Sequence, residues 1–356
     1  MKVLMIRLRS IGDIIQCTPA FDTVRRLFKD AEIDLMVDER FGDLVRENSA
    51  VDSLIPYRKT GGFFNKLRED SRIIKLLKKQ SYDVVLDFHG IPKTAWMAYF
   101  SGARVRVGYD YPWRGFLYTH RMAVPKKFSV HSALNQVNLL KALPAELISG
   151  FKFPDLKELN TFMKADFAAG ECAGFLKNNG VENGYSLFLY HISPSNMFKK
   201  WPAENYAGLI SMIENHSSFA GIKKAHIVLG TQGDTGEVKK IFDSVKLLSG
   251  KLISACGSLS LGGLFNLAKK AALYVGPDSG PLHIASAAGC SAIGLFGPTT
   301  TEIFGPVSKS FTGIYDSTLS CRPCEQKKCV SNDFRCINKI KLDDVFNVIL
   351  NNNFLN

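Results

Sequence analysis

The feature that most constrains this chain is an alternation of short apolar runs with amphipathic stretches, carried through twice. KVLMIRL opens it, followed by a helical pattern over roughly 14–28, IDLMVD, a helix near 41–48 and SLIPY. A Lys/Arg-rich helix near 64–80, DVVLDFH, a helix near 93–101 and VRVGYD complete the first series. Pro, Gly and aromatic residues then interrupt the pattern over 112–182. It restarts with YSLFLYHIS, NYAGLISMIEN, AHIVLG, a helix near 235–245, LISACG, a helix near 261–271, LYVGPDS, PLHIASAAG and SAIGLFG. Such alternation predicts a parallel sheet wound with helices on both faces. The expected class is therefore α/β, with two doubly wound Rossmann-like domains. They are placed at 1–175 and 183–340. A last helix over 342–354 is grouped with the first domain, although its sequence fits either.

With 46% hydrophobic residues in 356, two cores of ordinary size can be filled. No apolar run reaches the roughly 20 residues of a bilayer-spanning helix. Arg7 and Arg9 interrupt the opening MKVLMIRLR, which reads as a first buried strand and not as a signal segment. A cytoplasmic protein is expected. The net charge is +12 and uneven. Residues 1–141 hold 24 Lys and Arg against 15 Asp and Glu, a balance of +9. An anionic partner fits that asymmetry, and so does a merely solvated basic surface. Nucleic acid fits the charge but not a pair of α/β units.

Ligands of doubly wound sheets sit outside the carboxyl ends of the strands. Four motifs fall there. After the first strand comes Arg9-Ser10-Ile11-Gly12-Asp13, where Gly12 permits a tight turn and Asp13 opens a helix. Asp13 reads either as a helix-start acid or as a general base for an attacking hydroxyl. Gly276-Pro277-Asp278-Ser279-Gly280-Pro281-Leu282-His283 runs from a strand into a helix, with Gly280 at the turn and Pro281 in the first turn. Either its acid and hydroxyl cap the helix, or its backbone N–H groups cradle a pyrophosphate. It lacks the Gly-Lys-Ser/Thr ending of a Walker A loop and the GxGxxG spacing. The third motif joins His191-Ile192-Ser193-Pro194-Ser195 to Lys199-Lys200-Trp201-Pro202, where lysine can act as a point charge on phosphate. The fourth, Gly230-Thr231-Gln232-Gly233-Asp234 with Glu237, offers an acid for ribose hydroxyls or a helix cap.

Together RLRSIGDIIQCTPA, KKWP and GPDSGPLHIASAAGCSAIGLFGPT resemble glycosyltransferase family 9, the lipopolysaccharide heptosyltransferases. The resemblance implies a GT-B architecture of two facing domains with a cleft between them. The acceptor would lie on the first and a nucleotide-sugar donor resembling ADP-heptose on the second. It implies inversion at the anomeric carbon without a bound metal or cofactor. Carried over by position, Asp13 is the catalytic base, with Ser10 and Gly12 in the same acceptor-side turn. Lys199 contacts donor phosphates, beside Ser193. Asp278, Ser279, Gly280 and His283 form the diphosphate turn. Asp234 meets ribose, with Glu237 as fallback, and the backbone from Leu259 to Leu261 meets adenine. Lys200 departs from the family pattern, which has His there in some relatives.

The basic first domain then fits a phosphorylated glycolipid, the lipid A core, with peripheral contact at the inner membrane surface. Candidate contacts are Arg58, Lys59, Lys66, Arg68, Arg114, Arg121 and His131. Cys321, Cys324, Cys329 and Cys336 form a C-x2-C-x4-C-x6-C tail that only part of the family carries, a candidate structural zinc site. Three alternatives remain: a transferase of another nucleotide sugar in surface polysaccharide synthesis, a nucleotide-sugar epimerase, and a non-catalytic nucleotide-sugar binder, which would not need Asp13.

Overall fold

The computed structural model describes residues 1–245 and 249–351. The chain divides into two compact units, Met1–Lys164 and Ala165–Asn356. Each carries a six-stranded parallel sheet.

In the first unit the strands are β1 (Lys2–Ile6), β2 (Glu32–Asp38), β3 (Ser53–Tyr57), β4 (Val84–Asp87), β5 (Val105–Tyr109) and β6 (His120–Met122). Their order is β3-β2-β1-β4-β5-β6. The interior pair β1 and β4 is in register Val3 to Val84 through Ile6 to Asp87, and both strands are buried on both faces. That is why KVLMI and VVLD read as unbroken apolar runs. Pro56 lies in β3, which is an edge strand and tolerates a missing donor. The principal helices are α1 (Ile11–Leu27), α2 (Phe63–Gln80), α3 (Pro92–Phe100) and α4 (Ser132–Leu139).

The second unit repeats the plan with β7 (Tyr185–His191), β8 (Lys223–Leu229), β9 (Lys251–Ser254), β10 (Ala271–Pro277), β11 (Ala292–Leu295) and β12 (Phe311–Ile314). Their order, β12-β11-β10-β7-β8-β9, is the first unit's order read from the other edge. Leu187 and Leu189 enter one core cluster, while Phe188 and Tyr190 enter the other. This two-residue alternation covers both faces of the sheet.

Four expectations shift. The expected helix near 41–48 is a 3-10 helix over Glu39–Leu44. Strands β6 and β12, three and four residues long, were not legible. The domain boundary falls at 164/165 and not at 175, because the helix Ala169–Asn178 packs on Leu261–Lys270 of the second unit. The last helix is Leu342–Asn351, and residues 352–354 of the expected span lie outside the described ones. It belongs to the second unit. Val345, Phe346 and Ile349 enter the core shared with the helix Ala203–Asn215, and Trp201 Nε1 donates to Ile340 O at 3.0 Å.

Candidate active site

In each unit the strand order reverses between the first and fourth strands, which opens a crevice at their carboxyl ends. In the first unit this lies between β1 and β4. Arg7 leaves β1 buried, and its guanidinium joins the two strand ends: Nη1 donates to Phe88 O at 2.7 Å, and Nη2 pairs with Asp13 at 3.0 Å. The Asp13 carboxylate also reaches back to Ser10, accepting from its N–H at 3.2 Å and its hydroxyl at 3.1 Å. Asp13 thus caps α1 and remains about half exposed, a carboxylate held in one place with a face left open. Gly12 sits inside the first turn of α1 and supplies no left-handed turn.

His89 follows β4, and neither of its ring nitrogens has a hydrogen-bond partner among the described residues. Burial, with the Arg7 charge next, pushes it down to about 4. The neutral ring therefore faces a cavity of about 230 Å³, which Arg9, Tyr57, Lys59, Lys66 and Lys93 also line. Tyr57 and Lys93 are fixed at its wall: Lys93 Nζ donates to Tyr57 Oη at 2.5 Å and to Asp70 at 2.8 Å. Gly90 has a φ of +63°, and a side chain there would press on Tyr109 at 3.3 Å, so this turn needs glycine.

Of the expected acceptor contacts, the cavity brings together Lys59 and Lys66. Arg58 pairs with Glu39 at 3.4 Å, and Arg68 is exposed on α2. Arg114 stacks on Tyr111 at 3.9 Å, and Arg121 pairs with Asp110 at 3.2 Å. His131 is buried and caps α4, its Nδ1 accepting from Ala133 N at 3.2 Å, which is a structural use. Arg7, His89 and Lys93 were missed by the sequence reasoning. DVVLDFH does carry a signal for His89, a titratable group directly past a buried strand.

In the second unit the crevice lies between β7 and β10. Asp278, the residue after β10, is buried and takes three partners: Lys199 Nζ at 2.8 Å, Thr299 Oγ1 at 2.7 Å and His283 Nε2 at 3.8 Å. Burial works to raise this carboxyl, but His283 and the Lys199 ammonium beside it hold it well below the usual range. His283 lies in the first turn of the helix Gly280–Ala287, with its Nδ1 buried and unpartnered among the described residues. Gly280 is the first helical residue and not a separate turn position. The Ser279 hydroxyl lies 3.2 Å from His191 Nδ1 at the end of β7. Burial pushes His191 down to about 4. A helix start, a lysine and a polar His nitrogen without a partner thus converge beyond the two strand ends, chemistry suited to a phosphate.

Beside them, Asp234 accepts from Thr231 N at 2.7 Å and Oγ1 at 2.5 Å. Burial raises it, but hydrogen bonds from Ser193 and Thr231 outweigh that and lower it. Lys200 pairs with Glu237 at 3.4 Å, so Glu237 is partly engaged. The Leu259 side chain packs against the core.

Cys321, Cys324, Cys329 and Cys336 are free thiols that line one cavity of about 40 Å³ with Phe198 and Pro298. A hydrogen bond with Ser331 brings Cys329 down to about 7, and burial pushes Cys336 up to about 11. Among the described residues no three metal-ligating groups stand in an arrangement that could hold an ion. Nor is any described helix long and apolar enough to cross a membrane.

Residues 71–334 match the model of glycosyltransferase family 9 (heptosyltransferase). A lipopolysaccharide heptosyltransferase 1 from Campylobacter coli is 26% identical over 355 residues, covering 98% of each chain. A glycosyl transferase family 9 structure from Veillonella parvula superposes with a TM-score of 0.76 at 20% identity, covering 88% of this chain and 85% of that one. An E. coli heptosyltransferase solved with ADP gives a TM-score of 0.69 at 20% identity, covering 99% of this chain and all of the other. The shared fold is of GT-B type, with two Rossmann-like units in one chain.

Proposed function

The chain belongs to glycosyltransferase family 9, and from that premise we propose that it transfers a heptose from an ADP-heptose-like donor to the inner core of lipopolysaccharide. The names of its relatives support the sugar and the acceptor. The observation that carries the reading is the pair of switch-point sites, a carboxylate with an open face in one unit and a phosphate-suited cluster in the other.

In this mechanism the donor diphosphate lies at the start of the helix Gly280–Ala287, with Lys199 and His283 beside it. These groups stabilise the charge that grows on the departing nucleoside diphosphate. Ser193 and Asp234 meet the ribose, and the backbone at Leu259 meets the base. Asp13 takes the proton from the acceptor hydroxyl, and the oxygen attacks opposite the leaving group, inverting the anomeric carbon. Arg7 fixes the carboxylate and is a positioning residue. Lys59 and Lys66 receive acceptor phosphates, and the enzyme meets its glycolipid at the cytoplasmic membrane face.

Charge neutralisation by Lys199 and the helix start leaves no step that calls for a metal. The test is transfer by purified enzyme with ADP-heptose and a lipid A core acceptor, with the anomeric product read by NMR. Inverted product, formed equally with and without EDTA, is expected. Retained configuration, or activity lost to EDTA and restored by magnesium, would overturn the mechanism. Release of free sugar without acceptor would favour the epimerase.

A further inference from the structure

Helix α2 is packed along only part of its length. Glu69, Ile73 and Leu77 are buried at four-residue spacing, whereas residues 63–68 are all exposed. The first turn and a half overhangs the core. It carries Phe63 at 75% exposure and Phe64 at 82%, with their rings in edge contact at 5.7 Å, and exposed Leu67 beside them. Single exposed apolar residues are ordinary, but three within five positions form a patch whose hydration costs free energy.

The base of this overhang is tied down. Arg58 N donates to Glu69 Oε1 at 2.8 Å, and Arg72 Nη2 donates to Pro56 O at 2.9 Å. The apolar tip therefore stands on a fixed frame. Its charge is of one sign: residues 58–68, RKTGGFFNKLR, hold four cations and no acid. Aromatic rings interleaved with Lys and Arg match the boundary of an anionic bilayer, where rings enter the headgroup layer and cations meet phosphates. A second copy of this chain, itself at +12, would be repelled by the same cations.

We propose that this tip, Phe63, Phe64 and Leu67 with Lys66 and Arg68, inserts into the surface of an anionic lipid bilayer. The inference rests on the glycolipid acceptor proposed above and adds the surface that meets the membrane. Lys59 and Lys66 line the cavity at the foot of the tip, so a membrane-embedded acceptor presents its phosphates where the cations stand.

The experiment is flotation with vesicles of equal parts phosphatidylethanolamine and phosphatidylglycerol, against vesicles of phosphatidylcholine alone. The full chain is expected on the anionic vesicles. Replacing both phenylalanines, Phe63→Ser with Phe64→Ser, should weaken binding by about 10-fold per ring removed. Both rings are exposed, so thermal unfolding of the variant should match the parent. The variant's KM for acceptor anchored in vesicles should rise while turnover of the deacylated core stays unchanged. Parent protein that ignores anionic vesicles would overturn the proposal. So would a variant that binds them as well as the parent, or one that changes oligomeric state without lipid. Failure to use the deacylated core would instead strike the transferase reading and leave the vesicle result standing.

Discussion

The two units share one strand order and place their sites at the same topological point, yet they equip those sites in opposite ways. In the second unit the charges are already satisfied: Asp278 holds Lys199, Thr299 and His283 in a buried cluster. In the first, the exposed Lys59 and Lys66 line an open cavity, and the one carboxylate in its wall among the described residues, Asp38, is already paired with Arg40 at 2.6 Å. A closed network suits a small ligand of fixed shape, whose binding must cost little reorganisation. Unpaired cations suit a large anionic surface met by long-range attraction. The difference supports the proposal that the second unit takes the donor and the first the acceptor.

The sharpest break of that assignment is chemical. Asp13→Ala should lower kcat by about 10²–10⁴-fold, the usual worth of a positioned general base. Calorimetric affinity for ADP should be unchanged, because Asp13 belongs to the first unit. A variant turning over at the parental rate would leave Asp13 a helix cap and nothing else.

Stability should separate the units next. Asp278→Ala leaves the partly buried Lys199 and the buried His283 without their partner, and loss of one member of a buried ionic cluster costs about 3–5 kcal/mol. Lys59→Ala with Lys66→Ala should stay within about 0.5 kcal/mol, as exposed surface changes do. Denaturant unfolding that showed equal losses would erase the contrast.

Each site also holds a histidine that burial keeps neutral, His191 in one and His89 in the other, both pushed down to about 4. The unfolded chain protonates such a group near 6.5, before the folded chain does. Stability is therefore full above about 6.5, falls as pH drops toward about 4 and levels below it. For the deeply buried His191 the loss is about 3 kcal/mol. His89 is half-buried, so solvent reduces its share. His191→Asn should flatten the acid slope of the unfolding free energy more than His89→Asn. The reverse order would show that the first unit's site is the drier one.

Much of this was legible in the sequence, for physical reasons. The interior strands β1, β4, β7 and β10 are buried on both faces and announce themselves as apolar runs. Asp13, Lys199, Asp278 and His283 could be picked out as candidates, because ligands of such sheets bind beyond the strand ends, and the structure places all four beyond them. Arg7 was not legible as a site residue. It sits where the strand pattern continues, and only the fold reveals that its guanidinium reaches from Phe88 to Asp13. Charge in a sequence does not show which cations are already paired or stacked, as Arg121 and Arg114 are. The short strands β6 and β12 have too few residues to show any period.

The smallest expected effect tests the open half directly. Exposed charges are screened beyond about 8 Å at physiological ionic strength, whereas close, partly buried contacts are screened less. Added salt should therefore raise the acceptor's KM several-fold and change the donor's less. The cause is the balance of +9 over residues 1–141, with Lys59 and Lys66 at the cavity. Lys59→Gln with Lys66→Gln should raise the acceptor's KM at low salt and flatten its further rise. Lys199→Gln should act on the donor and leave the acceptor's salt slope as it was. Removing phosphates from the acceptor should mimic the first pair and not the second. An acceptor used equally well with or without its phosphates, at every salt concentration, would mean that the cations of the first unit only keep its surface solvated. The contrast between the units would then rest on Asp13 and the Asp278 cluster alone.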